Sequence, residues 1–522
     1  MIMKRLSLIF CICVWAAALC EAAEPINISS RLELFVDDAL LERLSGAERR
    51  LHHPVPANVA LVLDRPWEGG WSSQFTVLRD NDLYRLYYRA SKEDAKRVST
   101  CYAESHDGVA WTRPSLKQFE VAETLDNNVV LTQEVAGYAV WNFCPFLDTR
   151  PGVPSEERYK AVGGLGEAYG GLFAFDSPDG IRWRKLSDKP VITKGDFDAV
   201  NVAFWDTERK EYRAYARGRR VTSYLAGIQD PGTVTLKTDD QTGRTKDGRD
   251  NGRDIITCTS KDFIHWTVPE FVSYSPGRVN ELYENFILPY YRAPHLLLGF
   301  PLRYIDRGWT ESAKALPEFE HREKRGSLHE SREATALTDT MLMSSRDRTH
   351  FSMWPESFIR PGLRLKDSWT YYDNAMAWGL IETPSSVIGA PYELSLFAME
   401  AFLRPGPPRL RRFTLRMDGF VSVCAPLSGG ELLTRPVVFA GSKLVLNYST
   451  SAAGSVQVEL QDAQGVPLRG FALADCYEIY GDQIERVVTW KDNSDLGKFA
   501  KAPVRLRFVL KDADLYSIQF RL

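Results

Sequence analysis

The sequence predicts an all-β protein: a five-bladed β-propeller followed by a small C-terminal β-sandwich. Three observations carry this. A Ser-x-Asp motif ending in an aromatic residue recurs along most of the chain, a Tyr-rich strand pair precedes most copies, and the pattern changes to short alternating strands after about residue 430.

The first 22 residues are expected to lie outside the fold. Lys4 and Arg5 precede an apolar run from Leu6 to Leu19, and the small residues Ala22 and Ala23 follow, which is a secretory signal peptide pattern. The mature chain is therefore expected to be secreted or periplasmic. No later run approaches the roughly 20 apolar residues of a membrane span. Of eight cysteines, Cys11, Cys13 and Cys20 leave with the signal. Those remaining, Cys101, Cys144, Cys258, Cys424 and Cys476, have no zinc-like spacing and mostly sit in apolar runs, so they read as buried free thiols.

Composition narrows the function. At 44% hydrophobic and 25% charged, the 522 residues can build a large core, so neither a disordered nor a collagenous chain fits. With 65 Lys and Arg against 68 Asp and Glu there is no basic excess to neutralise a phosphate backbone, which argues against nucleic acid. The 13 Trp, 22 Tyr and 26 Phe favour strands and flat apolar surfaces for a sugar ring.

The motif reads SHDGVAW (Asp107), SPDGIRW (Asp179), SKDFIHW (Asp262) and SRDRTHF (Asp347), with RMDGFVS (Asp418) as a degraded fifth copy, at intervals of 71 to 85 residues. Each copy lies between strand-like runs, where an Asp side chain can bond the amides of its own turn, so these aspartates read as structural. The upstream unit appears as TVLRDNDLYRLYYRA, PFLDTRPGVPSEERYKAV and AFWDTERKEYRAYAR, and loosely as ILPYYRAPHLLLGFP. One period thus holds about four antiparallel strands, and five turns imply five blades over residues 30–430. Tyr372 to Ile381 and Tyr392 to Phe402 supply strands for the last blade, and Leu32 to Val36 is expected to close the ring against it. No long amphipathic helix is expected. Residues 431–522 read as the sandwich, with the Pro-rich run Arg404 to Pro408 as the other candidate boundary.

In a propeller, inner-strand starts and the loops from second to third strands share one face. Inner starts offer Glu68 and Trp71, Trp141 and Asn142, Asp198 and Asn201, Glu284, and Tyr371 with Asp373. Returning loops offer Asp254 and Asp339, with Arg217 and Arg303 at second-strand ends. The long polar loops from Gly218 to Arg253 and from Tyr304 to Leu337 are expected to wall the mouth. Acids and aromatics at the inner starts of several blades exceed what turn chemistry requires.

The blocks RPWEGGW, PFLDTRPG to RYKAV, AFWDTERKEYRAYAR, LTDTMLMSSRDRTHF and VRLRFVLKDADLYSIQF resemble the five-bladed propeller glycoside hydrolases of families 32, 43, 68, 117 and 130. The nearest resemblance is to exported bacterial proteins with a family 32-like N-terminal domain and a C-terminal β-sandwich. The family 32 blocks WMNDPNG, RDP and ECP are absent, so the resemblance implies the architecture and no catalytic residue. The SxDGxxW turn is also similar to a sialidase Asp box, but sialidases use six blades and an arginine triad.

The resulting expectation is a glycoside hydrolase acting on an extracellular or periplasmic poly- or oligosaccharide. Glu284 is the expected acid and Asp198 the base or nucleophile, with Glu68, Asp373 and Asp339 as further catalytic candidates. Arg217 and Arg303 would hold hydroxyl or acidic groups, Asn142 and Asn201 would orient the ring, and Trp71, Trp141, Asp254 and Tyr371 would line the pocket. No cofactor or metal is expected, since no EF-hand-like or zinc-like spacing occurs. The alternatives are a non-catalytic carbohydrate-binding or surface interaction propeller, a sialidase-like hydrolase, and a lyase. The lyase is disfavoured because only eight His occur, none with an obvious basic partner.

Overall fold

A computed structural model describes residues 24–92, 97–220, 252–277, 280–328 and 332–522. The expected signal peptide and most of the loop from Gly218 to Arg253 lie outside the described residues.

Five sheets follow one another along the chain, antiparallel except where Ser273–Ser275 pairs parallel with His350–Ile359, and a sixth, ten-stranded sheet gathers both ends. The first sheet orders Ser73–Asp80, Leu83–Ser91, Val98–Ser105 and Val129–Thr132 from the inside outwards; the second orders Cys144–Leu147, Tyr159–Gly163, Phe173–Ser177 and Arg184–Lys185. The third holds Val202–Asp206, Glu211–Arg220, Gly252–Ser260 and Glu270–Phe271. The fourth has seven strands, because Ser273–Ser275 joins its outer edge and Glu281–Leu282 with Leu302–Asp306 extends its inner end. The fifth runs Ile381–Thr383, Glu393–Glu400, Arg409–Leu415 and then Val55–Val62, taken from the N-terminal side of the first sheet.

That borrowed strand closes a propeller-like ring. Chain closure by a distant strand satisfies the edge of the last sheet, which would otherwise expose unpaired backbone groups. The ring is sealed on its inner side as well. Val77 donates its amide to the Trp378 carbonyl and Trp378 returns one to Phe75, joining the first sheet to the fifth. Between neighbouring sheets, Tyr87 Oη donates to the Gly180 carbonyl, Tyr212 Oη to Asp148, Tyr215 Oη to the Arg348 carbonyl and Trp378 Nε1 to the Ile287 carbonyl. One continuous apolar core runs through all five sheets.

The expected closing strand is corrected. Leu32–Leu34 pairs with Val504–Arg521 in the ten-stranded sheet, and Val55–Val62 closes the ring. The expected boundaries move too. Ile26–Ser29, Leu32–Leu34, Leu41–Ser45, Glu48–Leu51 and Val421–Ala425 all belong to the ten-stranded sheet, so its strands come from both ends of the chain. The two long strands Lys443–Asp462 and Val504–Arg521 pair along nearly their whole length, with shifts between Asn447 and Tyr448 and between Thr450 and Ser455. They enclose a separate core in which Phe439 and Phe520 stack at 3.8 Å.

The four intact motif turns share one geometry. In the first, Gly108 N donates to Ser105 Oγ at 2.9 Å, and Val109 N and Ala110 N both donate to Asp107 Oδ1 at 2.8 Å. The same bonds recur around Asp179, Asp262 and Asp347. The degraded copy departs: Asp418 is buried and accepts from Tyr290 Oη at 2.6 Å and Arg292 Nε at 2.9 Å, bracing the fourth sheet against the ten-stranded one. One ten-residue helix, Phe319–Leu328, forms between the strands Leu302–Asp306 and Ala336–Ser345 of the fourth sheet, where only a polar loop was expected. The five cysteines among the described residues are all buried and none of them is disulfide-bonded.

Candidate functional site

The inner-strand starts carry unusual backbone. Gln74 (φ 60°), Asn142 (53°), Phe286 (40°), Tyr372 (66°) and Asn374 (66°) all adopt left-handed conformations that non-glycine residues seldom take. Such strain concentrates where a fold over-determines its geometry for a purpose. Two of these positions bridge neighbouring sheets: Gln74 donates to Asn142 Oδ1, and Tyr372 Oη donates to Glu284.

The centre of the cluster is Glu284. Its residue is 1% exposed, Tyr372 Oη donates to Oε1 at 2.7 Å and Val200 N donates to Oε2 at 2.6 Å. Burial pushes its carboxyl up to about 7, and the charge of Asp198 adds to the push. The two donors and the Arg217 charge oppose this and are outweighed.

Asp198 lies two residues before Val200, with its side chain 45% exposed and its carboxylate 3.6 Å from the Arg217 guanidinium. Arg217 is buried, donates to Asp196 Oδ1 at 3.1 Å and to the Asp196 carbonyl at 2.8 Å, and lies 5.1 Å from the Tyr283 ring centre. Asp196 is itself partly desolvated, but Arg217 and Arg219 outweigh this and hold it below the usual carboxylate range. One arginine thus organises two carboxylates beside a third that is kept near neutrality.

A tyrosine wall backs this group. Tyr371 Oη donates to Tyr283 Oη at 2.9 Å, and Tyr283 packs against Tyr304, Tyr371 and Tyr372 with centroids 5.7 to 6.2 Å apart. Arg253 lies 5.1 Å from Tyr283 and 4.6 Å from Tyr304, and pairs with Glu281 at 2.8 Å. Trp71 meets the ring edge-on at Phe402, which packs on both Tyr371 and Tyr372. Trp141 instead stacks under Arg89, at 5.3 Å.

The remaining expected residues have other duties. Asn142 donates to the Gly164 and Phe197 carbonyls and Asn201 to the Phe197 and Ala199 carbonyls. A buried amide must satisfy its own bonding groups, and these two do so on main chain that ties the second and third sheets together. Glu68 is buried among Tyr88, Arg113 and the Arg65 amide, with burial raising its carboxyl, and makes no bond to the Glu284 group. Asp254 is buried on its strand and accepts from Tyr274 Oη. Arg303 and Asp339 form a two-pronged cross-strand pair at 2.8 and 2.6 Å, each neutralising the other. Asp373 accepts from Phe402 N, and burial raises it well above the usual range.

Sequence reasoning passed over Asp196, Tyr283 and Tyr372. Each stands beside a residue it did choose, in GDFDAVN, LYEN and TYYDN; the paired aspartates and the tyrosines preceding an acid were the available signals. A groove of about 850 Å³ also opens between the fifth sheet and the ten-stranded sheet, lined in part by Arg292, Glu382, Tyr392, Gln483 and Arg486, and none of the expected site residues reaches it. Among the described residues no group of three or more His, Cys, Asp or Glu is placed to hold a metal ion.

No family model matches this sequence, and no curated protein matches it. Solved structures do resemble it in chain course. A fructofuranosidase from Schwanniomyces occidentalis complexed with fructosylnystose aligns at 10% identity and a TM-score of 0.35, over 89% of this chain and 96% of that one. An endo-arabinase from Bacteroides thetaiotaomicron aligns at 9% identity and 0.37, over 69% and 98%. An N-acetylgalactosamine deacetylase from F. plautii in complex with blood group B trisaccharide aligns at 11% and 0.38, over 71% and 95%. The propeller-like architecture of the present chain rests on its own sheet pairing and ring closure.

Proposed function

We propose that this chain is an exported glycoside hydrolase acting on an extracellular or periplasmic poly- or oligosaccharide. The observation that carries the reading is the pairing of unlike carboxyls: Glu284, buried and pushed up to about 7, beside Asp198, exposed and held on Arg217. Glycosidic cleavage needs one carboxyl protonated and one ionised near neutral pH, and different surroundings supply that difference. In this reading Glu284 gives its proton to the leaving glycosidic oxygen. Asp198 takes a proton from the attacking water, or attacks the anomeric carbon itself. Arg217 lies 3.6 Å from the Asp198 carboxylate and holds it in position.

One observation favours a second reading, a non-catalytic carbohydrate-binding propeller. Both oxygens of Glu284 are already hydrogen-bonded and the residue is almost wholly buried, which suits an acid that braces the third, fourth and fifth sheets. A screen of the mature protein against plant and algal glycans separates the two. Hydrolysis that falls at least a hundred-fold in both Asp198→Ala and Glu284→Gln is the expected result. Hydrolysis that survives the double replacement refutes the acid and base assignment, and glycan binding with no turnover favours the binder.

A further inference from the structure

Beside the tyrosine wall lies a second, differently charged cluster. Arg322, on the helix Phe319–Leu328, and Arg404, just after the second strand of the fifth sheet, are 1% and 4% exposed. Arg322 Nε donates to the Pro317 carbonyl at 2.9 Å and Arg404 Nη2 donates to that same oxygen at 3.2 Å, so the two guanidiniums are neighbours. Their other bonds go to the Ser368 and Lys366 carbonyls. Neither has a carboxylate within ion-pair distance among the described residues. Arg322 Nη1 and Arg404 Nε are buried with no acceptor among the described residues.

The surrounding acids are already committed. Glu318 pairs with Lys366 at 3.1 Å and Asp367 with Arg409 at 2.6 Å. Asp373 faces the pair, but its carboxyl accepts the Phe402 amide and burial favours its neutral form. A third cation, Arg364, reaches the Ala315 carbonyl nearby. Two buried like charges with idle donors and no carboxylate in ion-pair contact are costly, and a guanidinium fork matches an oxyanion's geometry.

We propose that Arg322 and Arg404 form a binding site for an oxyanion of the sulfate or carboxylate class. The pair meets the wall of the Glu284 cluster through Phe402 and Asp373, so the group bound there is either a free anion or the sulfate or carboxylate of an acidic glycan. The site does not depend on the hydrolase reading, because an anion can bind whether or not a glycosidic bond is cut.

The test is isothermal titration of the mature protein with sodium sulfate, against sodium chloride at matched ionic strength. A saturable sulfate site is expected, weakened at least ten-fold in Arg404→Gln and less in Arg404→Lys, which keeps the charge and loses the fork. Absence of a saturable site in the unmutated protein overturns the proposal, as does sulfate binding that Arg404→Gln leaves unchanged. The unmutated titration stands on its own if the variant fails to fold. Displacement of sulfate by a sulfated oligosaccharide, and not by its neutral counterpart, assigns the anion to the glycan; Arg404-dependent sulfate binding without displacement assigns it to free anion. Either result supports the site, and neither requires turnover.

Discussion

Replacing Glu284 by Gln tests the central electrostatic claim without any substrate. An acid whose folded pKa is raised above its unfolded value holds its proton in the folded state over a window where the unfolded chain has lost it. The folded state then binds more protons, and stability falls as pH rises through that window. For Glu284 the window runs from the ordinary 4.5 to about 7. At about 1.4 kcal/mol per unit, the unmutated protein loses about 3 kcal/mol across it, and a Gln at this position loses none. A separate, pH-independent penalty enters because Gln presents one oxygen and one NH2 group to two donors, Tyr372 Oη and Val200 N. One mismatched donor costs about 1 to 2 kcal/mol. Glu284→Gln is therefore expected to be less stable than the unmutated chain at pH 4.5 and more stable at pH 8, with the curves crossing between. Urea unfolding followed by tryptophan fluorescence at half-unit pH steps measures this. Curves that stay parallel to within about 0.5 kcal/mol would refute the assignment of a near-neutral carboxyl.

Arg217→Met removes the cation shared by Asp196 and Asp198 and leaves Asp196 with Arg219 alone, so the loss of charge-assisted hydrogen bonds is expected to cost about 1.5 to 3 kcal/mol in the same unfolding assay. Asp107→Ala frees the Val109 and Ala110 amides of a turn remote from Glu284; stability should drop by about 1 to 2 kcal/mol while any glycosidase rate stays within two-fold, and a large rate loss would contradict the structural role. The five buried, unpaired cysteines should leave the melting temperature unchanged by reductant and should react with a thiol reagent only as fast as the protein unfolds; prompt labelling of the native chain would contradict their burial.

Strands and turns were legible in the sequence because both are local. A Ser-x-Asp turn satisfies its own amides within five residues, and alternation every second residue shows which run will pair, so the repeat and its period could be read directly. The closing strand could not, because Leu32 to Val36 and Val55 to Val62 are both short apolar runs and only their partners distinguish them. The same limit applied to the candidate site. Asp198, Arg217, Glu284 and Tyr371 do converge, whereas Arg303 and Asp339 meet each other across two strands, and Asn142 and Asn201 turn to carbonyls.

By itself, then, the sequence determined an all-β chain built of repeated four-stranded units, with carboxyls and tyrosines at the inner ends of those units. Only the tertiary structure decided how each carboxyl is surrounded. Glu284 and Asp373 are pushed up by burial, Asp198 lies exposed beside Arg217, and Glu284's two donors, Tyr372 and Val200, stand more than eighty residues away in the chain, so no local pattern could reveal them.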